Sequence, residues 1–314
     1  MPKIFFATDV HGSEVCWRKF LNAGAHYGAE ILVLGGDMTG KAMIPLVGRD
    51  GSYEATLGDR RYEVSGEEEI RELERRIADR GYYPVRLDPE EASALGEDES
   101  RVNELFREQM LSTVVRWMEI ANEKLGESGR RCIVCPGNDD VLEVDEVIRD
   151  AGGPVEIGEQ RVIDEDGFQI ASMGWTNATP WDTHREESEE ELRQRIDRMA
   201  SEFEDFERAI FNFHCPPYGS GLDEAPALDD ELRPKQGGRA VEPVGSTAVR
   251  DAINDYQPLL SLHGHVHESR AAVRMGRCLA VNPGSAYDEG VLQGALIDLN
   301  AKKGKVRNYA LLEG

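Results

Sequence analysis

The chain has 314 residues, which suits one large α/β domain with insertions or two small domains. Its formal charge of −24 at pH 7 works against nucleic acid and anionic membranes as partners, because like charges repel at long range. Hydrophobic residues make up 40%, enough for a full core, and no apolar run approaches the ~20 residues of a membrane span.

The chain opens on KIFFAT, which reads as a first strand and not as a signal peptide, since Asp9 and His11 follow at once. The five cysteines cannot all pair with one another. Cys132, Cys135, Cys215 and Cys278 lie in or beside apolar runs, so reduced buried thiols and a cytoplasmic location are expected. CIVC has metal-type spacing, but it reads as a strand and has no second CxxC.

A helix is expected over 14–27, then a second strand in AEILVLGG, a βαβ rhythm that buries strands on both faces. Beyond Gly40 the rhythm breaks. SYEATL and RRYEVS flank Gly58-Asp59 and predict a hairpin. EEEIRELERRIADRG predicts a helix capped by Ser65, with acids first, arginines late and Gly81 as its stop. A longer helix follows over 99–125, with Leu105, Met110, Val114, Trp117 and Met118 among its apolar positions. Residues 48–125 are therefore read as an insertion, a hairpin plus helices, within a single domain of residues 1–314. It could cap the site, form a homo-oligomer surface, or simply pack on the core.

The rhythm resumes at RCIVCPG and FQIASMGW. A helix is expected over 186–207, with Leu192, Ile196, Met199, Phe203 and Phe206 as its apolar stripe. AIFNFH and YQPLLSL follow as buried strands. RCLAVN, LQGALIDL and VRNYALL, with short connections, predict an antiparallel meander.

Several of these runs end in polar groups of one kind: Asp9 and His11, Asp37 after Gly36, Asn138-Asp139-Asp140, His214, and HGHVH from His263 to His267. Residues two apart share a face of an extended strand, so Asp9 with His11, and His265 with His267, can point to common sites. Ligands gather beyond the carboxyl ends of strands in open α/β sheets. Carboxylates, an amide oxygen and neutral imidazoles together suit Mn, Fe, Zn, Co or Ni.

DxH, GD, GN, a lone His and GHxH, in this order, resemble the calcineurin-like metallophosphoesterase superfamily. The blocks span residues 9 to 267 and so nearly the whole chain except the insertion. HCPPYGSGLDEAPALDDEL, with VGSTAVR and HGHVH behind it, is similar to the Icc-related predicted phosphoesterases. The resemblance implies an α/β fold, a four-layer αββα sandwich, here with a mostly helical insertion, and a centre of two divalent metal ions. By motif, Asp9, His11 and His267 would hold one metal; Asn138, His214 and His265 would hold the other; Asp37 would bridge them. The implied activity is hydrolysis of a small phosphoester, with a metal-bridging hydroxide as nucleophile. Asn138, Asp139 and His214 are the candidate catalytic positions. His263 has no ligand role in the motif and is expected to pack.

One departure matters. The family usually has GNH, and here the block is GNDD, with Asp139 in the histidine position. A carboxylate beside two cations is a poor general acid and repels a phosphate dianion. Phosphodiesters are therefore preferred over monoesters as substrates. A phosphomonoesterase is the alternative, and a non-enzymatic scaffold would have lost ligands. Asp139 could instead turn away and bind backbone, while Asp140 is read as a buttress. In GWTNATPWD, Asn177 and Trp181 could line the substrate pocket or merely pack. Tyr218 and Arg239 lie in a Gly/Pro-rich loop that could shape specificity. Arg239 or Arg270 could meet phosphate, or stay solvated.

Overall fold

The computed structural model describes residues 2–314. Apolar residues on both faces of the early strands require covering on both sides, and two stacked sheets with outer helices supply it. One six-stranded sheet runs, edge to edge, Lys305–Glu313, Gln293–Asn300, Lys3–Ala7, Ile31–Leu34, Arg131–Val134, Val155–Ile157. The other six-stranded sheet runs Ala271–Met275, Cys278–Asn282, Leu260–Leu262, Ala209–Phe213, Phe168–Met173, Arg161–Glu165. Ile4, Phe6, Ile31 and Val33 face inward and meet Ile170, Ile210, Leu260 and Val281 of the opposite sheet. Phe5, Ala7, Leu32 and Leu34 alternate with them and face outward, onto the helices Glu14–Tyr27, Glu99–Leu125 and Val144–Ala151. On the far side, Phe211 and Phe213 pack on Leu192, Ile196, Val249 and Ile253 of the helices Glu189–Ala200 and Thr247–Tyr256. The result is an αββα sandwich.

The first helix spans Glu14–Tyr27, capped by Ser13 and closed by Gly28 in the left-handed conformation. Trp17 and Trp117 stack at 4.9 Å between ring centroids, and the Trp17 Nε1–H donates to the Trp117 carbonyl at 3.2 Å. Such a pair contributes about 1 kcal/mol beyond its burial. It fixes the C-terminal half of Glu99–Leu125 to the core layer.

Between these helices the hairpin Ser52–Leu57 and Arg60–Ser65 is the outer half of a four-stranded sheet completed by Ala42–Arg49 and Tyr82–Leu87. The two inner strands carry Pro45 and Pro84, which obscured them in the sequence. The helix Glu67–Ala78 covers this sheet through Ile70, Leu73 and Ile77. Ser65 ends a strand, and Gly66 occupies the cap position without a side-chain bond.

Three further expectations are corrected. The helix expected over 186–207 is Glu189–Ala200, because Ser188 and Glu191 form a capping box that starts it later. In YQPLLSL only Leu260–Leu262 is strand, since Tyr256 ends a helix that Gln257 caps at φ 51°. The C-terminal strands are not one meander: Cys278–Asn282 pairs with Ala271–Met275 in one sheet, and Gln293–Asn300 with Lys305–Glu313 in the other. No helix among the described residues is long and apolar enough to cross a membrane. Cys16, Cys132, Cys135, Cys215 and Cys278 are free and buried.

Candidate metal centre

Lys3–Ala7, Ile31–Leu34 and Arg131–Val134 are parallel neighbours, and Asp9, Asp37 and Asn138 lie just past their carboxyl ends. In the facing sheet Ala209–Phe213 and Leu260–Leu262 are parallel neighbours that lead into His214 and into His265 and His267. One sheet thus delivers the candidate oxygen ligands with His11, and the other delivers imidazoles.

The expected extended path does not hold at these ends. Asp9, His11, Asp37 and His265 have positive φ, at 53°, 37°, 46° and 67°. The strands stop at Ala7, Leu34 and Leu262, and the chain turns to aim each side chain separately. The turned segments still bond one another, with Asp9 N–H to the Gly36 carbonyl and His11 N–H to the Asp37 carbonyl, both 3.0 Å. The motif glycines permit close approach. A Cβ on Gly36 would lie 2.2 Å from His214 Nδ1, and one on Gly264 would lie 2.1 Å from Thr8 Oγ1.

Three groups of ligand atoms gather within 4.8 Å of one another: Asp9, His11 and His267; Asp37, His214 and His265; and His11, Asp37 and Asp139. Asp9 Oδ1 is 3.3 Å from His267 Nε2 and 3.8 Å from His214 Nε2. Asp37 Oδ2 is 3.3 Å from His214 Nε2 and 3.7 Å from His11 Nε2, so Asp37 lies between the groups. Burial opposes charge on Asp37, yet His214, His11 and Lys41 hold its carboxyl well below the usual range. Burial likewise opposes charge on Asp9, and His214 and His267 keep its carboxyl low.

The imidazoles divide. Burial pushes His11 down to about 3 and His265 down to about 4, so both offer neutral nitrogen lone pairs. On His214 burial works against charge, but Asp37 and Asp9 prevail and push it up to about 9. The Gly35 carbonyl accepts from His214 Nδ1 at 3.0 Å, which turns Nε2 toward the carboxylates without an aligned hydrogen bond. These carboxylates call for positive charge at that point. The imidazolium proton meets the demand, and a divalent ion on Nε2 would displace it.

Asn138 is oriented from behind. Its Nδ2 donates to Thr183 Oγ1 at 2.9 Å, and the Thr183 hydroxyl donates its own proton to Glu186 Oε1 at 2.6 Å. The Asn138 Oδ1 is left buried and without a partner, as a ligand oxygen would be. Asp140 joins the loops, accepting from Met38 N, Thr39 N, Thr39 Oγ1 and Gly137 N at 3.1, 2.9, 2.6 and 2.7 Å. Arg185, buried, donates to the Asp140 and Val141 carbonyls and pairs with Asp145. His263 is buried and satisfied: Nδ1 donates to the Phe213 and Cys215 carbonyls, and Nε2 accepts from Ser261 Oγ. It packs, and in doing so braces the backbone on both sides of His214.

Asp139 points into the site. Its N–H donates to Asp37 Oδ1 at 3.0 Å, and its Oδ2 lies 2.8 Å from Lys41 Nζ. Burial and Asp37 push its carboxyl up to about 6, against the pull of Lys41. Sequence reasoning missed Lys41, Tyr287 and Thr183. The Tyr287 ring lies 4.6 Å from that of His11. The proposed substrate residues make other contacts or face solvent. Asn177 spends its amide on the Val244 carbonyl and the Cys215 thiol. Trp181 is 64% exposed beside the Thr183 segment. Tyr218 lies under Arg250, Arg239 is exposed, and Arg270 pairs with Glu313.

The donor set and the unpartnered Asn138 Oδ1 and His214 Nε2 fit divalent metal ions of the borderline class. No family model matches the chain. The uncharacterized protein MJ1162 of Methanocaldococcus jannaschii is 27% identical over 165 residues, covering 51% of this chain and 68% of its own. One solved structure aligns with a TM-score of 0.58 at 17% identity, over 99% of both chains. TT1561 of Thermus thermophilus aligns with a TM-score of 0.55 at 14% identity, over 99% of this chain and 98% of its own. The chain shares the fold of these two structures, and its motif blocks lie at the strand ends, where the resemblance to the calcineurin-like metallophosphoesterases expects them.

Proposed function

We propose that the protein is a metal-dependent phosphoester hydrolase acting on small phosphodiesters. The observation that carries this reading is the pair of adjoining ligand groups, Asp9–His11–His267 and Asp37–His214–His265, with Asp37 between them. In this reading Asp9, His11 and His267 would hold one divalent ion and Asn138, His214 and His265 the other, with Asp37, which lies between the groups, available to both. Bound ions of this kind supply Lewis acidity and make water nucleophilic near neutral pH. The protein's own part is positional. Thr183 keeps the Asn138 amide oxygen on the site side, Gly35 fixes the His214 tautomer, and Asp140 ties the two loops. Asp139 leaves the site without a histidine acid, which favours a substrate with a good leaving group and a single negative charge.

A second reading, monoester hydrolysis, draws support from Lys41, whose ammonium offsets the Asp139 carboxylate at 2.8 Å. The test is a paired rate assay on bis-p-nitrophenyl phosphate and p-nitrophenyl phosphate, with Mn²⁺ and with chelator. Metal-dependent turnover favouring the diester is expected. A monoester preference would select the second reading, and no turnover with any metal would remove both.

A further inference from the structure

Resting on the phosphoester reading, the geometry points to Lys41 as the residue that grips a non-bridging phosphoryl oxygen of the substrate, the charge role that the histidine of GNH would otherwise fill. The candidate ligands are buried except at His265, His267 and Asp139, which are half-buried. The side chains of Asp139 and His267 are 20% and 27% exposed, and that of Lys41 is 50% exposed. A phosphoryl group that approaches over these exposed side chains meets Lys41, an ammonium beside Asp139.

The ammonium is delivered by anchored backbone. Thr39 is held by Asp140, and the Gly40 N–H donates to the Tyr83 hydroxyl at 2.7 Å. Ala42 begins the inner strand of the inserted sheet, in register with Tyr82. Asp139 then aims the side chain. Its Oδ2 takes Lys41 Nζ at 2.8 Å while its Oδ1 accepts from Asn138 Nδ2 at 3.2 Å, so the cation is tied to a ligand-bearing loop. Other cations near this region are engaged: Arg185 is buried with Asp145, and Arg270 pairs with Glu313.

An ammonium is a compact donor suited to a single phosphoryl oxygen. Negative charge on the non-bridging oxygens is where a fixed cation stabilises phosphoryl transfer. Lys41 keeps its proton throughout, and no bond to it forms or breaks.

The test uses Mn²⁺-saturated protein with two readouts: kcat/KM on bis-p-nitrophenyl phosphate and affinity for inorganic phosphate by calorimetry. Lys41→Met should lose at least ~10-fold in both, as removal of one charge-stabilising donor does elsewhere, with Mn²⁺ content unchanged. Lys41→Arg should recover part of each. The double variant Lys41→Met, Asp139→Asn separates contact with substrate from mere neutralisation of Asp139. It should stay low; a return to the wild-type values would overturn the proposal. So would Lys41→Met values equal to wild type. Wild-type protein that neither hydrolyses the diester nor binds phosphate would remove the phosphoester reading, and this proposal with it.

Discussion

The Asn138 amide donates to the Thr183 hydroxyl at 2.9 Å, and that hydroxyl has already given its proton to Glu186. The direction of the chain is therefore fixed: Thr183 can only accept, so the Asn138 Oδ1 is turned away from it, buried and without a partner. Thr183→Val should weaken Mn²⁺ binding by ~10-fold or more, and Thr183→Ser should largely preserve it. Calorimetric titration of the metal-free protein checks this. Equal affinities for wild type and Thr183→Val would show that the amide is oriented by something else.

Asp139→His would restore the histidine of the usual motif at a side chain that already points into the site. Its expected effect is a rise in p-nitrophenyl phosphate turnover relative to bis-p-nitrophenyl phosphate. A ratio that stays where it was in the wild type would mean that GNDD does not set substrate charge preference.

His263 gives the metal-free protein a pH dependence. Burial holds its folded pKa down at about 4, below the ordinary 6.5, although carbonyl bonds pull the other way. The unfolded chain therefore binds the proton more readily. This stabilisation is complete above pH 6.5 and is lost as pH falls toward 4. Between neutral pH and pH 5 it should cost about 2 kcal/mol. Urea unfolding at the two pH values, compared with His263→Asn, reads the difference. Parallel slopes for the two proteins would contradict the assignment.

The motif blocks made the position of the site legible, because each sits where an apolar run stops: Ala7 before Asp9, Leu34 before Asp37, Phe213 before His214. Runs such as KIFFA and ILVL, apolar on both faces, indicated strands covered on both sides, while the four-layer αββα order came only with the family resemblance. What the sequence hid was conformation and long-range pairing. Period-2 spacing suggested a straight path through Asp9 and His11, whereas both residues adopt positive φ. Lys41 belongs to no motif block, and its ion pair with the distant Asp139 is visible only in the fold. Thr183 carried no motif at all, since its role depends on Asn138, 45 positions away.

Asp37→Ala and His214→Ala remove two of the proposed ligands and should abolish turnover. Both side chains are buried among polar neighbours, so the far-UV circular dichroism should stay close to that of wild type. A variant that turns over at the wild-type rate would overturn its residue's place in the centre.

The most direct test of the whole account is metal stoichiometry: equilibrium dialysis against Mn²⁺ followed by elemental analysis per chain. Two ions per chain are predicted, falling below two in Asp37→Ala. Wild-type protein that saturates at one ion, or takes up none, would contradict a dinuclear centre.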